Sequence, residues 1–357
     1  MRRLEIGVFL PVGKNGFILS TNTPAYYPSY ADNLAITRLA EDLGLDYAFS
    51  MAKWRGFGGA TEFWDSSLES FSLMAALAAA TSRIKLIATV NPLLFHPTLM
   101  SKMAATVDDV SAGRLGLNII TGAILGEYEQ MGILPGGYDA NRYAYASEWV
   151  HVLKRLWSET SVTHDGEYFH LVDCVSEPKP VQKPHPFLVC AAASEEGLRF
   201  TAREAQYSFI NGKDLADVKA KSLRAKEIAA EEGSTFKTAV STLLSIGETK
   251  DDADACWEHL IEGADLEGIT NMGNAFSEQT RDKIKERGAQ LLDDRPKIHT
   301  GRAIVGGGKQ IADEIIGLAY EGNIDSILLI FPDYLEGLRR FGSTVMPLLA
   351  ASLDVGS

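Results

Sequence analysis

Short apolar runs alternate with segments of helical period along most of the chain. The runs are LEIGVFL (4–10), YAFSM (47–51), IKLIATV (84–90), RLGLNIIT (114–121), PFLVCA (186–191), YSFIN (207–211), AVSTLLSIG (239–247) and SILLIFP (326–332). Each has the length of a strand and is apolar on both sides, as a strand buried on two faces must be. Between them lie ADNLAITRLAEDLG, ESFSLMAALAAATS, PTLMSKMAATVDDVSAG and EWVHVLKRLW. In the first of these, Leu34, Ile36, Ala40 and Leu43 fall roughly on one stripe, and Gly44 is placed to end the helix. Eight buried strands separated by helices predict an α/β protein of the (β/α)₈ barrel type. A doubly wound sheet would open its first helix with G-x-G-x-x-G. The chain has PVGKNGFILSTNTPAYYPSY there, too long and too aromatic for that fingerprint.

Two stretches break the alternation. Residues 161–185 predict a hairpin around Asp165-Gly166 followed by a Pro-rich connector, and residues 263–303 are polar with no clear strand. A long insertion late in a barrel is expected over the active face or at a subunit contact, or else as a solvated excursion. Without internal repeats, residues 1–357 are expected to form one barrel domain carrying these two insertions.

Charge narrows the partners. A net charge of -13 argues against nucleic acid and anionic membrane surfaces, which need clustered Lys and Arg. Cys174, Cys190 and Cys256 are too few and scattered for a disulfide framework, so a reducing compartment is expected. The apolar run after Arg2 and Arg3 is short for a signal peptide, and no apolar stretch reaches the roughly 18 residues of a membrane span. The expected location is the cytoplasm, with no membrane association.

In a barrel the chemistry sits where strands end at the C-terminal face. Those ends read Ser50-Met51-Ala52-Lys53, Thr89-Val90-Asn91-Pro92, Asn118 through Ala123, Cys190 through Ser194, and Asn211-Gly212-Lys213. They offer small neutral hydrogen-bonding groups. No His/Asp/Glu cluster has metal spacing, so no metal is expected, and no G-x-S-x-G elbow is present. Such a lining points to a cofactor that carries the hard chemistry. Gly306-Gly307-Gly308-Lys309-Gln310 reads as a turn before a helix, either a phosphate cradle or a plain loop. His96 is open between an acid–base role and loop packing.

The ordered series IGVFLPVGKNG, SMAKWRGFGGATEFWD with LESF, LMAALAAATSRIKLIAT, MAATVDDVSAGRLGLNIITG, EYEQMGILPGG and NRYAYASEWVHVLKRLW with DGEYF resembles the bacterial luciferase-like flavin monooxygenases, nearest their pyrimidine-oxidising branch. The resemblance covers most of the chain. It implies a (β/α)₈ barrel that uses O₂ and reduced FMN, delivered by a separate NADH-dependent flavin reductase. It places Ala52 and Lys53 against the flavin, and Asn118 on the isoalloxazine with Thr89 beside it at the oxygen pocket, as the two catalytic positions. Glu127, Arg142 and Tyr143 would hold the ribityl and phosphate region and Ser194 the phosphate side. Family habit also implies a homo-oligomer. From the residues alone, Arg142 and Tyr143 read equally as the start of a helix and Glu127 as its solvated face.

Two departures bear on the substrate. The branch has T-G-Trp where this chain has Thr121-Gly122-Ala123, and its small Thr- and Ala-rich run becomes Val90-Asn91-Pro92-Leu93-Leu94-Phe95-His96-Pro97. Losing an indole removes a large apolar wall. The expected small-molecule substrate is therefore a pyrimidine-containing heterocycle larger than uracil, cleaved at a C–N bond. Riboflavin, losing its ribityl chain, is the sharpest case and uracil or thymine the alternative. Ala123, Asn91, Phe57, Trp64 and His96 are the expected pocket residues, with core packing open for Trp64. A non-catalytic flavin-binding protein and a deazaflavin-dependent dehydrogenase are the other readings.

Overall fold

In the computed structural model, which describes residues 1–122, 124–191, 194–276, 296–299 and 301–356, the eight apolar runs form eight parallel strands that close on themselves. They are β1 (Glu5–Phe9), β2 (Tyr47–Ser50), β3 (Lys85–Val90), β4 (Leu115–Ile119), β5 (Phe187–Ala191), β6 (Tyr207–Ile210), β7 (Lys237–Gly247) and β8 (Ser326–Ile330). Closure is made by pairing Ser326 of β8 with Glu5 of β1. The expected barrel is present.

Helices α1 (Tyr30–Asp42), α2 (Ser70–Ala80), α3 (Pro97–Val110), α4 (Tyr138–Ser158), α5 (Glu195–Glu204), α6 (Leu215–Glu231), α7 (Lys250–Glu262) and α8 (Gly308–Tyr320) follow strands or extended segments. Side-chain caps start most of them. Ser29 accepts the Asp32 amide for α1, Glu69 caps α2, and Thr249 with Asp252 forms a capping box on α7. The buried face of α1 is Asn33, Ile36, Thr37, Ala40 and Glu41, while Leu34 and Leu43 are only partly covered. Three polar residues, Asn33, Thr37 and Glu41, are buried with partners: Asn33 Nδ2 donates to Tyr26 Oη and the Ser29 carbonyl, Thr37 donates to the Asn33 carbonyl, and Glu41 accepts the Ser82, Arg83 and Ile84 amides.

Two apolar layers result. Outside the strands, a large core joins them to the helices and includes the fully buried Trp149 and Trp157. Inside, Tyr47, Phe49, Ile87, Val189 and Leu328, with Phe9, Phe187, Tyr207 and Phe209, fill the barrel. Gly7 and Gly116 make room for these rings. A Cβ on Gly7 would lie 2.2 Å from Tyr47 Cε2, and one on Gly116 2.3 Å from Phe187. Below this plug, at the N-terminal end, Glu5 accepts from Tyr207 Oη (2.7 Å) and Lys237 Nζ (2.6 Å). Asp46 there accepts from Arg3 and the Ile6 amide.

The expected hairpin forms from Val162–Asp165 and His170–Cys174. Glu148 of α4 accepts the backbone N–H groups of Glu167, Tyr168 and Phe169 in its turn. The second interruption differs from its reading. Leu266–Ala275 is helical, residues 277–295 lie outside the described set, and Arg302–Gly307 is a strand paired with the upper half of β7. Gly306 and Gly307 therefore end a strand and α8 starts at once at Gly308, where a turn was expected. Glycine-rich composition hid that strand.

Candidate functional site

The plug closes the barrel from below, so the accessible polar groups are those at the C-terminal strand ends. The first group joins β2, β3 and β4. Ser50 Oγ lies 2.5 Å from Ser70 Oγ at the start of α2, and Ser70 Oγ accepts the Thr89 amide at 2.8 Å. Thr89 Oγ1 donates to the Ser50 carbonyl at 2.6 Å. Its lone pairs remain, and they receive Asn118 Nδ2 at 3.0 Å. Thr89 and Asn118 are register partners across β3 and β4 and are each 3% exposed. This relay fixes the amide and leaves Asn118 Oδ1 buried with no donor.

The second group ties the loop after β2 to the short helix Gly126–Glu129 beyond β4. Lys53 Nζ meets Glu127 Oε1 at 2.5 Å, and Glu127 Oε2 accepts the Trp54 amide at 2.8 Å. Gln130 donates to the Trp54 carbonyl at 3.0 Å. Both ionic side chains are buried, and the Lys53 ammonium lies 4.2 Å from the Phe57 ring centroid and 5.7 Å from that of Trp64. Burial lowers the Lys53 pKa and the Glu127 carboxylate works in the opposite sense. The Trp54 indole Nε1 is buried without an acceptor.

The third group lies at the start of α4. Tyr138 Oη donates to the Thr121 carbonyl at 3.0 Å. Tyr143 Oη is 3.2 Å from Ser194 Oγ, the N-cap of α5, which also accepts the Gly197 amide at 3.1 Å. Arg142 sits 5.1 Å from the Tyr143 ring centroid, with Nη1 3.3 Å from Asp139 Oδ1. Burial raises the Tyr128 and Tyr138 pKa values, so both phenols stay protonated.

The structure thus gathers Lys53, Thr89, Asn118 and Glu127 with Arg142, Tyr143 and Ser194 around one half of the mouth, and Ala52 precedes Lys53 there. Asn91 is fully buried beside Gly122. Phe57 belongs to a satellite core with Leu19, Phe63, Ile269 and Met272, and Trp64 packs on it. Trp64 also stacks on Phe63 and donates Nε1 to the Gly16 carbonyl at 2.6 Å. Asp265 clamps this loop by accepting the Thr61 amide and hydroxyl. His96 caps α3 and pairs with Thr98 at 2.7 Å, its ring 5.5 Å from that of Phe169. Ala123 lies outside the described residues. Ser70, Tyr128 and Trp54 carry weight that spacing did not reveal. The only signal for Ser70 is its place at the first turn of α2, next to two strand ends.

Among the described residues, no group of three or more His, Cys, Asp or Glu side chains gathers as a metal ion requires, and no helix is long and apolar enough to cross a membrane. Burial pushes the Cys190 thiol on β5 up to about 12, which keeps it a protonated, inert group.

The chain is 41% identical over 357 residues to the pyrimidine monooxygenase RutA of Methylobacterium radiotolerans, covering 99% of this chain and 93% of that one. It is 38% identical over 357 residues to RutA of Acinetobacter baylyi, covering 99% and 96%. A crystal structure of riboflavin lyase (RcaE), with modified FMN and substrate riboflavin, shares the fold at a TM-score of 0.85 and 19% identity, over 98% of this chain and 92% of that one. The family model of luciferase-like monooxygenases matches residues 4–325, and the chain belongs to that family of enzymes.

Proposed function

We propose that the chain is the oxygenase of a cytoplasmic two-component system. It takes reduced FMN from a separate NADH-dependent flavin reductase and uses O₂ to cleave a C–N bond in a pyrimidine-containing heterocycle. The observation that carries this is the unpartnered, buried Asn118 Oδ1. A reduced isoalloxazine offers ring N–H donors and a flat face, which suits an acceptor held in a dry mouth. At the other end of the arc, Ser194 at the start of α5, with Tyr143 and Arg142, has the donor chemistry a phosphate monoester needs.

When bound, the reduced flavin supplies the electrons that activate dioxygen. The chain's own part is positioning and exclusion. Thr89 holds the Asn118 amide in one rotamer, and the buried, mutually hydrogen-bonded hydroxyls of Ser50, Ser70 and Thr89 place no competing base beside it. The Lys53–Glu127 pair anchors the loop after β2, which carries Ala52 and sets Phe57 and Trp64 beside the ammonium. Homo-oligomerisation is part of this reading.

Alanine at position 123 and the altered run 90–97 support a guest bulkier than uracil, with riboflavin the sharpest candidate. Uracil or thymine is the second reading, favoured by 41% identity to a pyrimidine monooxygenase over nearly the whole chain. The test is aerobic loss of riboflavin or uracil with purified protein, FMN, a reductase and NADH, followed by mass spectrometry. Asn118→Ala is expected to lower turnover by roughly 10²–10³-fold, with the protein still folded. Equal turnover under argon, or no affinity for FMN in either redox state, sinks the reading.

A further inference from the structure

The glycine-rich loop after β2 starts at Lys53 at the mouth, and its far end is wrapped around a carboxylate from a distant part of the chain. Asp265, the N-cap of the helix Leu266–Ala275, is 4% exposed. Its Oδ2 accepts the Thr61 amide at 2.8 Å and the Thr61 hydroxyl at 2.7 Å, and its Oδ1 accepts the Gly268 amide at 3.0 Å. Burial alone would raise its pKa, and these donors outweigh burial and hold the carboxyl below its usual value. Gly59, at φ +76°, lets the loop close this tightly. A Cβ there would lie 2.6 Å from the Gly268 nitrogen and nearer still to Asp265 Oδ2.

A second tie runs beside the first. Asn271 Nδ2, on the same helix, donates to the Phe57 carbonyl at 2.9 Å. The Phe57 ring is the one that lies 4.2 Å from the Lys53 ammonium. Ile269 and Met272 of the helix share a small core with Phe57 and Phe63. Within the loop, the Phe57 amide donates to the Phe63 carbonyl and the Phe63 amide to the Gly58 carbonyl. The route from Asp265 to Lys53 is therefore Thr61, the bridge between Phe57 and Phe63, and the Phe57 ring. Spacing along the chain gives no sign of it, since Thr61 and Asp265 are 204 positions apart.

We infer that Asp265 is a positioning residue for the cofactor, fixing through Thr61 the loop that presents Ala52 and Lys53 to the flavin. The inference rests on the flavin reading above and adds a linkage to it. Whatever holds the helix Leu266–Ala275 on the loop favours the flavin, and bound flavin favours the docked helix by the same factor.

The test uses the full-length protein, with FMN affinity in both redox states read by equilibrium titration and amide hydrogen exchange read by mass spectrometry. Asp265→Asn keeps the size and one acceptor oxygen, and sets an NH₂ against N–H donors. It is expected to weaken FMN binding at least ~5-fold. Asp46→Asn at the barrel base, where the carboxylate accepts the Ile6 amide, is a comparable buried lesion far from this loop. It is expected to lower the melting temperature and leave FMN affinity within about twofold. In wild type, FMN is expected to slow exchange in Leu266–Ala275. Unchanged FMN affinity in Asp265→Asn overturns the inference. An equal loss in both variants also overturns it, because general destabilisation would give that result. Should Asp265→Asn not fold, wild-type exchange decides, and a helix whose exchange ignores FMN overturns it. If wild type binds FMN in neither redox state, the flavin reading itself fails and takes this with it.

Discussion

At the base of the barrel Glu5 accepts from both Tyr207 and Lys237, and Asp46 from Arg3 and the Ile6 amide. At the mouth, Asn118 Oδ1 and Trp54 Nε1 are buried and have no partner among the described residues. Leaving a buried polar atom unpaired costs roughly 1–3 kcal/mol, and the base shows that this chain can satisfy such groups. The difference teaches where to look for a ligand. The carboxylates at the base are satisfied by the protein alone, whereas the mouth joins Asn33, Ser208, Thr242, His299, Arg302 and Tyr334 in leaving buried polar atoms without a protein partner.

The ion pair at the mouth offers the hardest way to break that contrast. Glu127→Ala strands a buried ammonium against Phe57 and is expected to destabilise the fold by about 3–5 kcal/mol in urea unfolding. A loss under about 1 kcal/mol would mean that the mouth is wet and the pair screened. Lys53→Met with Glu127→Leu is expected to recover most of the stability.

His299 gives the next largest effect. It donates Nδ1–H to the Phe17 carbonyl beyond β1, and its Nε2 has no partner. Burial pushes its pKa down from 6.5 to about 4. The unfolded chain therefore takes up the proton first as pH falls. The stability from the neutral ring is full above about pH 6.5 and is lost as pH drops toward 4. The loss over that window is about 3 kcal/mol. Denaturation of wild type and His299→Gln at both ends of the window should show a shallower dependence in the variant, and identical slopes would place the ring in water.

Inside the plug, Gly7→Ala forces a methyl into the Tyr47 ring and should cost roughly 1–3 kcal/mol by thermal unfolding. Adding Tyr47→Leu should return part of it, since the clash is with that ring. The surface network joining Arg199 and Arg224 to Glu195 and Glu231 across α5 and α6 gives the smallest change. Arg224→Ala is expected to shift the melting temperature by only a few degrees, less still near ~1 M salt. A larger drop would mean that exposed charge, not the interior, holds this side of the barrel.

Legibility in the sequence follows the physics of each element. The strands were readable because burial on both faces makes a continuous apolar run, and no such run was misplaced. The strand Arg302–Gly307 was not, since three neighbouring glycines carry the signature of a turn while β7 supplies the pairing. The inward face of α1 was misread because Asn33 and Thr37 are buried through hydrogen bonds, which apolar periodicity does not register. At the mouth, strand ends put Thr89 and Asn118 on the same face of the barrel, and the family resemblance is what placed them side by side. Lys53 and Glu127 are 74 positions apart, and only the folded chain shows that they touch. The Ser50–Ser70 contact likewise depends on where α2 begins. Trp64, for which the sequence left core and wall open, packs on the satellite core by stacking on Phe63, with its ring also 5.7 Å from the Lys53 ammonium.

The long strand β7 has one more consequence. Its lower half meets β6 and β8, which completes the ring, and its upper half continues about seven residues past Ile210, roughly 23 Å, to pair with Arg302–Gly307. One side of the rim therefore stands as a parapet. Helices Lys250–Glu262 and Leu266–Ala275 follow from its top, outside the circuit of pairings that seals the cylinder, so a change of length there leaves the closing pairs of the barrel in place.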